Sequence, residues 1–188
     1  IAIEEGYIQS VDDHITDYLP ELGYRNRAFE NITIRNLLMM SSGIKYKEFP
    51  FLNGDDAKTY YYPDLRELAL EKTTIISRPG EIFHYNNYHP LLLGMIIERA
   101  TGTSVANYLQ EKIWQPMGAE YAASWSLDEA GFEKMESGIN GRAIDFAKFG
   151  QLFLHNGSKQ RVTVVPSAWV AEATQADSSV DYENYYYD

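Results

Sequence analysis

One stretch of the sequence, residues 79–102, constrains the fold most, because it joins a turn to an apolar helix. The Pro-Gly pair at its start predicts a tight turn. The apolar pattern that follows predicts a helix from about His89 to Thr101, which the next Gly ends. Tyr85 and Asn87 lie at the junction, and loops held by a rigid helix commonly carry reactive side chains. We therefore expect Tyr85 and Asn87 to belong to a functional site.

The composition excludes several classes of function. A chain of 188 residues, 45% hydrophobic and 23% charged, is long enough and apolar enough for one well-buried core. A net charge of −11 without any basic cluster argues against nucleic acid or an anionic membrane as a partner. The absence of Cys excludes disulfides, thiolate catalysis and Cys-ligated metals. No apolar run is long enough to predict a membrane span.

The rest of the sequence predicts a mostly helical chain with few strands, which lie near the C-terminal end. Further helices are expected over residues 31–40 with Thr33 as N-cap, 64–72, 103–115 with Thr103 as N-cap, 140–155, and after Pro166. A β-rich run is expected at residues 161–165. Residues 44–63 and 119–139 show no period, and the first of these segments is rich in aromatic residues. Such a segment is either a lid over a site or a cover over the helices.

Both ends of the sequence suggest that the domain continues beyond it. The N-terminal IAIEEG is typical of the last turns of a helix, ended by Gly6 in a left-handed conformation. The C-terminal DYENYYYD has the aromatic content of a strand, with no partner strand after it. We therefore expect residues 1–188 to form a single partial domain, incomplete at both ends.

The Tyr-x-Asn pattern at Tyr85 indicates chemistry only through its context. A Tyr can act as a general base when a neighbouring cation lowers its pKa from about 10, and a Ser becomes a nucleophile only with such a base in contact. Tyr-x-Asn occurs three times, at Tyr24, Tyr85 and Tyr182, and with 15 Tyr present most copies are packed or surface aromatics. Only the second copy follows a Pro-Gly-Glu turn and precedes a long apolar helix.

With that context, Pro-Gly-Glu-x-Phe-x-Tyr-x-Asn at residues 79–87, followed by LLLGMIIERATG, resembles the second motif of the serine β-lactamase-related hydrolases. These include class C β-lactamases, DD-peptidases, esterases and 6-aminohexanoate-dimer hydrolases. ITIRNLLMMSSGI, YLQEKIWQPMG and GINGRAIDFAKFGQLFLHNG resemble other stretches of the family in the same order. The resemblance implies an α+β fold, with most of this chain in the helical lobe. It implies acyl transfer from a small-molecule amide, lactam or ester, without cofactor or metal, and it favours the bacterial periplasm or cell surface.

The resemblance carries over two site residues. Tyr85 is implied as the general base or proton shuttle, and Asn87 as the amide that orients the substrate. Between them stands Asn86, where the family more usually has a small residue. The nucleophilic Ser-x-x-Lys is expected before Ile1 and the Lys/His-Thr-Gly strand beyond Asp188, so the chain alone is expected to be inactive. The alternatives are a non-catalytic relative that binds or scaffolds and, more distantly, a helical interaction module unrelated to hydrolases.

Two patterns inside the chain imitate the missing motifs. Ser42 and Lys45 form the one Ser-x-x-Lys present, and residues 155–157, His-Asn-Gly, resemble the third motif. The chemistry requires Ser at a helix N-terminus with Lys one turn later, whereas Ser42 lies at a predicted helix C-terminus, so we reject this pair. His84 and His89 lie five residues apart across a loop, and solvated or packed His is the better interpretation than a metal site.

Overall fold

The computed structural model describes residues 1–175, so the predicted C-terminal strand and the Tyr-x-Asn at Tyr182 lie outside the described residues. The helices are α1 Ile15–Tyr18, α2 Pro20–Arg25, α3 Ile34–Leu38, α4 Asp55–Tyr61, α5 Leu65–Glu71, α6 Tyr88–Thr101, α7 Val105–Leu109, α8 Ala143–Leu154 and α9 Ser167–Ala173. Short 3₁₀ turns span Arg27–Asn31 and Phe51–Asn53, and a π-turn over Gln110–Trp114 extends α7.

The strands are short and form two separate antiparallel pairs. β1 Ser124–Trp125 pairs with β2 Ile139–Asn140, and β3 Ser158–Lys159 pairs with β4 Val162–Thr163. All four follow residue 123, and helices dominate the described chain. The predicted α+β class, mostly helical with few strands towards the C-terminal end, is therefore confirmed.

Helix α6 lies at the centre of the core. It contacts α1, α3, α5 and α7, and Leu91, Leu92, Met95 and Ile96 on it are each at most 1% exposed. Each side chain of this size contributes roughly 1.5–3 kcal/mol when it leaves water. The helix ends at Gly102, whose φ of +71° is the left-handed conformation expected of a C-terminal Gly. The predicted helix at the centre of residues 79–102 is confirmed to within one residue.

The predicted boundaries of the shorter helices agree with the structure only in part. Thr33 caps α3 as predicted and shares a capping box with Asn36, but the helix ends at Leu38 instead of residue 40. The N-cap of α7 is Ser104, whose hydroxyl accepts the Asn107 N–H, and not Thr103. The N-terminal residues form a turn ended by Gly6 at φ +79°.

Residues 44–63 are not the continuous loop that the absence of a period suggested, because α4 lies inside them. Asp55 and Asp56 fill its first turn, where carboxylates stabilise the N-terminal end of a helix. Only Thr59 of this helix is buried. Periodicity could not reveal α4, since it has no apolar stripe for the pattern to record.

The glycines offer a test of how closely the chain packs beside the Tyr85 turn. Gly43 has a φ of +76°, and a Cβ there would clash with the Ser77 carbonyl oxygen and lie 2.9 Å from its carbon. Gly102 has a similar φ of +71° but open space around a Cβ. Gly102→Ala is expected to lower the free energy of unfolding by about 1–2 kcal/mol, the cost of a left-handed Ala.

Gly43→Ala has the same left-handed cost and also presses a Cβ against the Ser77 backbone. It is expected to lower the free energy of unfolding by about 2–5 kcal/mol in total. Chemical denaturation of the two variants, side by side, measures the difference. Equal losses would show that the Ser77 backbone moves aside without cost.

Candidate active site

The turn that carries Tyr85 is held against the segment after α3. The His84 N–H donates to the Met40 carbonyl (2.7 Å), and Asn86 Nδ2 donates to the Ile44 carbonyl (2.9 Å). Asn86 is completely buried, and its Oδ1 accepts the N–H of the first residue of α6 (2.9 Å). A side chain of this length at position 86 therefore fixes the turn on both sides, which a small residue could not do.

Tyr85 is partly exposed, at 41% of its surface, and its hydroxyl makes no hydrogen bond to residues 1–175. Partial burial raises the pKa of Tyr85, and the nearby Tyr60 and Asp56 raise it further. In these surroundings the phenol is protonated at neutral pH. A base role therefore requires a cation placed against the ring by residues other than these.

Asn87, the second predicted site residue, is 4% exposed. Its Nδ2 donates to Asp56 Oδ1 (3.0 Å) and to Thr59 Oγ1 (3.3 Å), both on α4. The two predicted residues thus differ: the Tyr85 hydroxyl makes no hydrogen bond to residues 1–175, whereas the amide nitrogen of Asn87 links α4 to the start of α6.

Tyr46 of the 44–63 segment packs against Tyr88, the first residue of α6. The Tyr46 hydroxyl donates to Asp56 Oδ1 (2.9 Å), and the Tyr88 hydroxyl donates to Asp55 Oδ1 (3.0 Å). The two rings meet edge to face at 5.6 Å, a favourable aromatic geometry. Burial, followed by the bond to Asp56, raises the pKa of Tyr46, and burial raises that of Tyr88, so both remain hydrogen-bond donors.

Sequence reasoning missed a buried Ser–His pair behind the turn. Ser42 Oγ and His89 Nε2 are 2.6 Å apart, with 0% and 1% of the residues exposed. Ser42 Oγ also accepts the Ile44 N–H (3.1 Å), and His89 Nδ1 lies 3.1 Å from Met40 Sδ. Burial lowers the pKa of His89 to about 3, with a smaller contribution from His84, so His89 is neutral.

This pair does not have the arrangement of a nucleophile and its base. Both side chains are sealed from solvent, and a thioether faces Nδ1 where a carboxylate would orient a catalytic imidazole. No helix runs through Ser42 and Lys45. The rejection of this Ser-x-x-Lys is thereby supported, and His89 is a packed histidine, as predicted.

The imitation of the third motif also fails on geometry. His155 is the C-cap of α8, and Asn156 and Gly157 have φ values of +50° and +81°. These are the conformations of a helix end and not of a strand. Among residues 1–175, no group of three or more acidic or His side chains could hold a metal ion.

An apolar groove of about 370 Å³ lies elsewhere, lined by the N-terminal residues and by residues of α3, α6, α7, α8 and α9. Tyr85 and Asn87 do not line this groove. Within residues 1–175, every helix is too short or too polar to cross a lipid bilayer.

Comparison with known proteins gives consistent matches. Residues 3–176 match the sequence model of the Beta-lactamase family. The 6-aminohexanoate-dimer hydrolase of Paenarthrobacter ureafaciens is 27% identical over 186 residues, which cover 89% of this chain and 45% of that protein. Penicillin-binding protein 4* of Bacillus subtilis is 32% identical over 120 residues, 63% of this chain and 26% of that protein.

A solved structure agrees with these matches. A Bacillus anthracis protein assigned as a 6-aminohexanoate-dimer hydrolase superposes with a TM-score of 0.79 at 30% identity, over 90% of this chain and 47% of that one. The chain spans less than half the length of each of these relatives. With nearly all of its residues matched by the family and its helices arranged as in this relative, the chain belongs to the Beta-lactamase family.

Proposed function

We propose that this chain forms the helical lobe of a serine hydrolase that cleaves a small-molecule amide, lactam or ester through an acyl-enzyme. The observation that carries the proposal is the Tyr85 hydroxyl. It belongs to a residue that is 41% exposed, makes no hydrogen bond to residues 1–175, and stands on a turn fixed by hydrogen bonds to the carbonyls of Met40 and Ile44. Because this hydroxyl makes no hydrogen bond that stabilises the fold of residues 1–175, it is available for a reaction.

The proposed reaction begins with a Ser of a Ser-x-x-Lys motif supplied by residues outside this sequence. Its hydroxyl attacks the carbonyl, while Tyr85 and the Lys relay its proton to the leaving group. Backbone N–H groups stabilise the oxyanion, and water then releases the acyl group. The Lys ammonium would also lower the pKa of Tyr85, which burial, Tyr60 and Asp56 raise. No step requires a cofactor or metal.

Trapping the acyl-enzyme tests this proposal. The full-length protein is incubated with a p-nitrophenyl ester or a chromogenic cephalosporin, and the acylated peptide is located by mass spectrometry. We expect the label on the Ser of a Ser-x-x-Lys outside these 188 residues, because Ser42 is sealed from solvent. The control is Ser42→Ala, which should acylate like the wild type.

The 188-residue chain by itself is expected to turn over neither substrate, since it lacks the nucleophile. Turnover by this chain that Ser42→Ala abolishes would assign the reaction to the Ser42–His89 pair and overturn the proposal.

A further inference from the structure

Another pocket, of about 380 Å³, is lined by residues of α7 and its π-turn, of the segment that follows, and of the β1–β2 pair. Ligand pockets range from roughly 300 to 1,000 Å³, so this one suits a small molecule. Its lining combines aromatic rings with uncharged amides, and Tyr85 and Asn87 do not belong to it. The rings are those of Trp114, Tyr121 and Trp125, and the amides are those of Asn107, Gln110 and Gln115.

Hydrogen bonds fix the wall that carries Tyr121. Asp145 of α8 is completely buried, and its carboxylate accepts the backbone N–H groups of Glu120 (2.7 Å) and Tyr121 (3.2 Å). Of the lining residues within 1–175, only Glu120 is charged, and it forms an ion pair with Lys148 (2.7 Å). The Arg142 guanidinium lies 3.6 Å from the centre of the Tyr121 ring and is engaged there. The pocket therefore favours an uncharged ligand.

The two tryptophans offer the pocket their ring surfaces and not their N–H groups. Trp114 Nε1 donates to the Tyr121 carbonyl (3.0 Å). Trp125 Nε1 donates to the carbonyls of Lys134 (3.0 Å) and Ser137 (2.9 Å). An indole has a single N–H, so neither ring has a donor left for a ligand. What these rings supply is apolar, π-rich surface.

The carboxamides along α7 and its π-turn have no partner in the fold. Asn107, Gln110 and Gln115 are exposed, and their side chains make no hydrogen bond to residues 1–175. Each carboxamide has two N–H donors and an oxygen acceptor. A hydroxyl both donates and accepts, so it can pair with either end of an amide. These side chains therefore match a ligand that carries several hydroxyl groups.

We propose that this pocket binds a neutral saccharide. A pyranose ring has apolar C–H faces, which pack on aromatic rings, and a rim of hydroxyl groups, which pair with amides. The pocket places ring surfaces that lack a free donor beside carboxamides that lack a partner, so it can serve both parts of such a ring. This site is independent of the proposed hydrolysis, because it needs neither Tyr85 nor a Ser-x-x-Lys.

Isothermal titration calorimetry of the full-length protein with chitotriose, cellotriose and maltotriose tests the site. At least one of these trisaccharides is expected to bind with a Kd of about 1 mM. Tyr121→Ala removes one ring but keeps the backbone bonds to Asp145 and Trp114, and it should weaken binding about three- to tenfold. Gln110→Ala removes a carboxamide that the fold does not use, and it should weaken binding by a similar factor, the contribution of about one hydrogen bond.

Matched controls are Tyr24→Ala and Gln9→Ala, which change exposed residues outside the pocket and should bind like the wild type. Unchanged affinity in both pocket variants would place the saccharide elsewhere and overturn the proposal. So would the absence of binding by all three trisaccharides at about 10 mM, tenfold above the expected Kd. Adenosine that binds more tightly than each of them, and loses affinity in Tyr121→Ala, would assign the pocket to flat aromatic ligands instead. If Tyr121→Ala does not fold by circular dichroism, Gln110→Ala decides.

Discussion

Replacing Tyr85 with Phe is expected to lower the acylation rate of the full-length hydrolase by about 10²- to 10⁴-fold, the usual contribution of a positioned proton-transfer group. The free energy of unfolding should hardly change. The hydroxyl makes no hydrogen bond to residues 1–175, and 41% of the residue is exposed, so folding loses little when the oxygen is removed. Burst-phase kinetics with a p-nitrophenyl ester measure acylation, and chemical denaturation measures stability.

The chain provides a matched control for this substitution. Tyr24 begins another Tyr-x-Asn but lies on the surface of α2, 88% exposed, as expected of a copy without the Pro-Gly turn and helix. Tyr24→Phe should leave both acylation and stability unchanged. Acylation by Tyr85→Phe within a few-fold of the wild type would remove Tyr85 from the reaction.

The second large effect is a loss of stability in mild acid that originates at His89. Burial lowers the pKa of His89 to about 3 in the folded chain, below its ordinary value of 6.5. The neutral imidazole is therefore favoured by folding, so its contribution is complete above pH 6.5 and is lost as the pH falls towards 3. Between pH 7 and 4.5 the free energy of unfolding should fall by roughly 2–3 kcal/mol from this residue alone.

A matched variant isolates this contribution. His89→Gln places an uncharged amide near Ser42, in a site that excludes charge, and is expected to show a nearly flat profile between pH 7 and 4.5. Ion pairs lower the pKa values of some carboxylates, such as Glu21 beside Arg99 and Asp12 beside Arg35. These carboxylates lose their contribution to the free energy of unfolding only below about pH 4.5. Urea denaturation at each pH measures stability. If wild type and His89→Gln lose stability in parallel as the pH falls, His89 is not the source of the acid effect.

Local sequence patterns were sufficient to predict the helices that have an apolar stripe or a recognisable capping residue. The long stretch after residue 79 predicted α6 and its end at Gly102, and Thr33 marked the start of α3. These features depend on residues three or four positions apart, which sequence displays directly. Helix α4 has acidic residues but no stripe, and it was missed.

The sequence by itself determined that Tyr85 stands between a turn and a buried helix, and the structure retains that position. Only the tertiary structure decided which residues form hydrogen bonds with each other around this turn. Ser42 meets His89 across 47 residues, and Asp56 meets Asn87 across 31. The physical reason is that hydrogen bonds between distant residues depend on the path of the whole chain, and no local period records that path. For this reason the sequence named Asn87 as a site residue, whereas only the fold shows that its amide nitrogen bonds to Asp56 and Thr59.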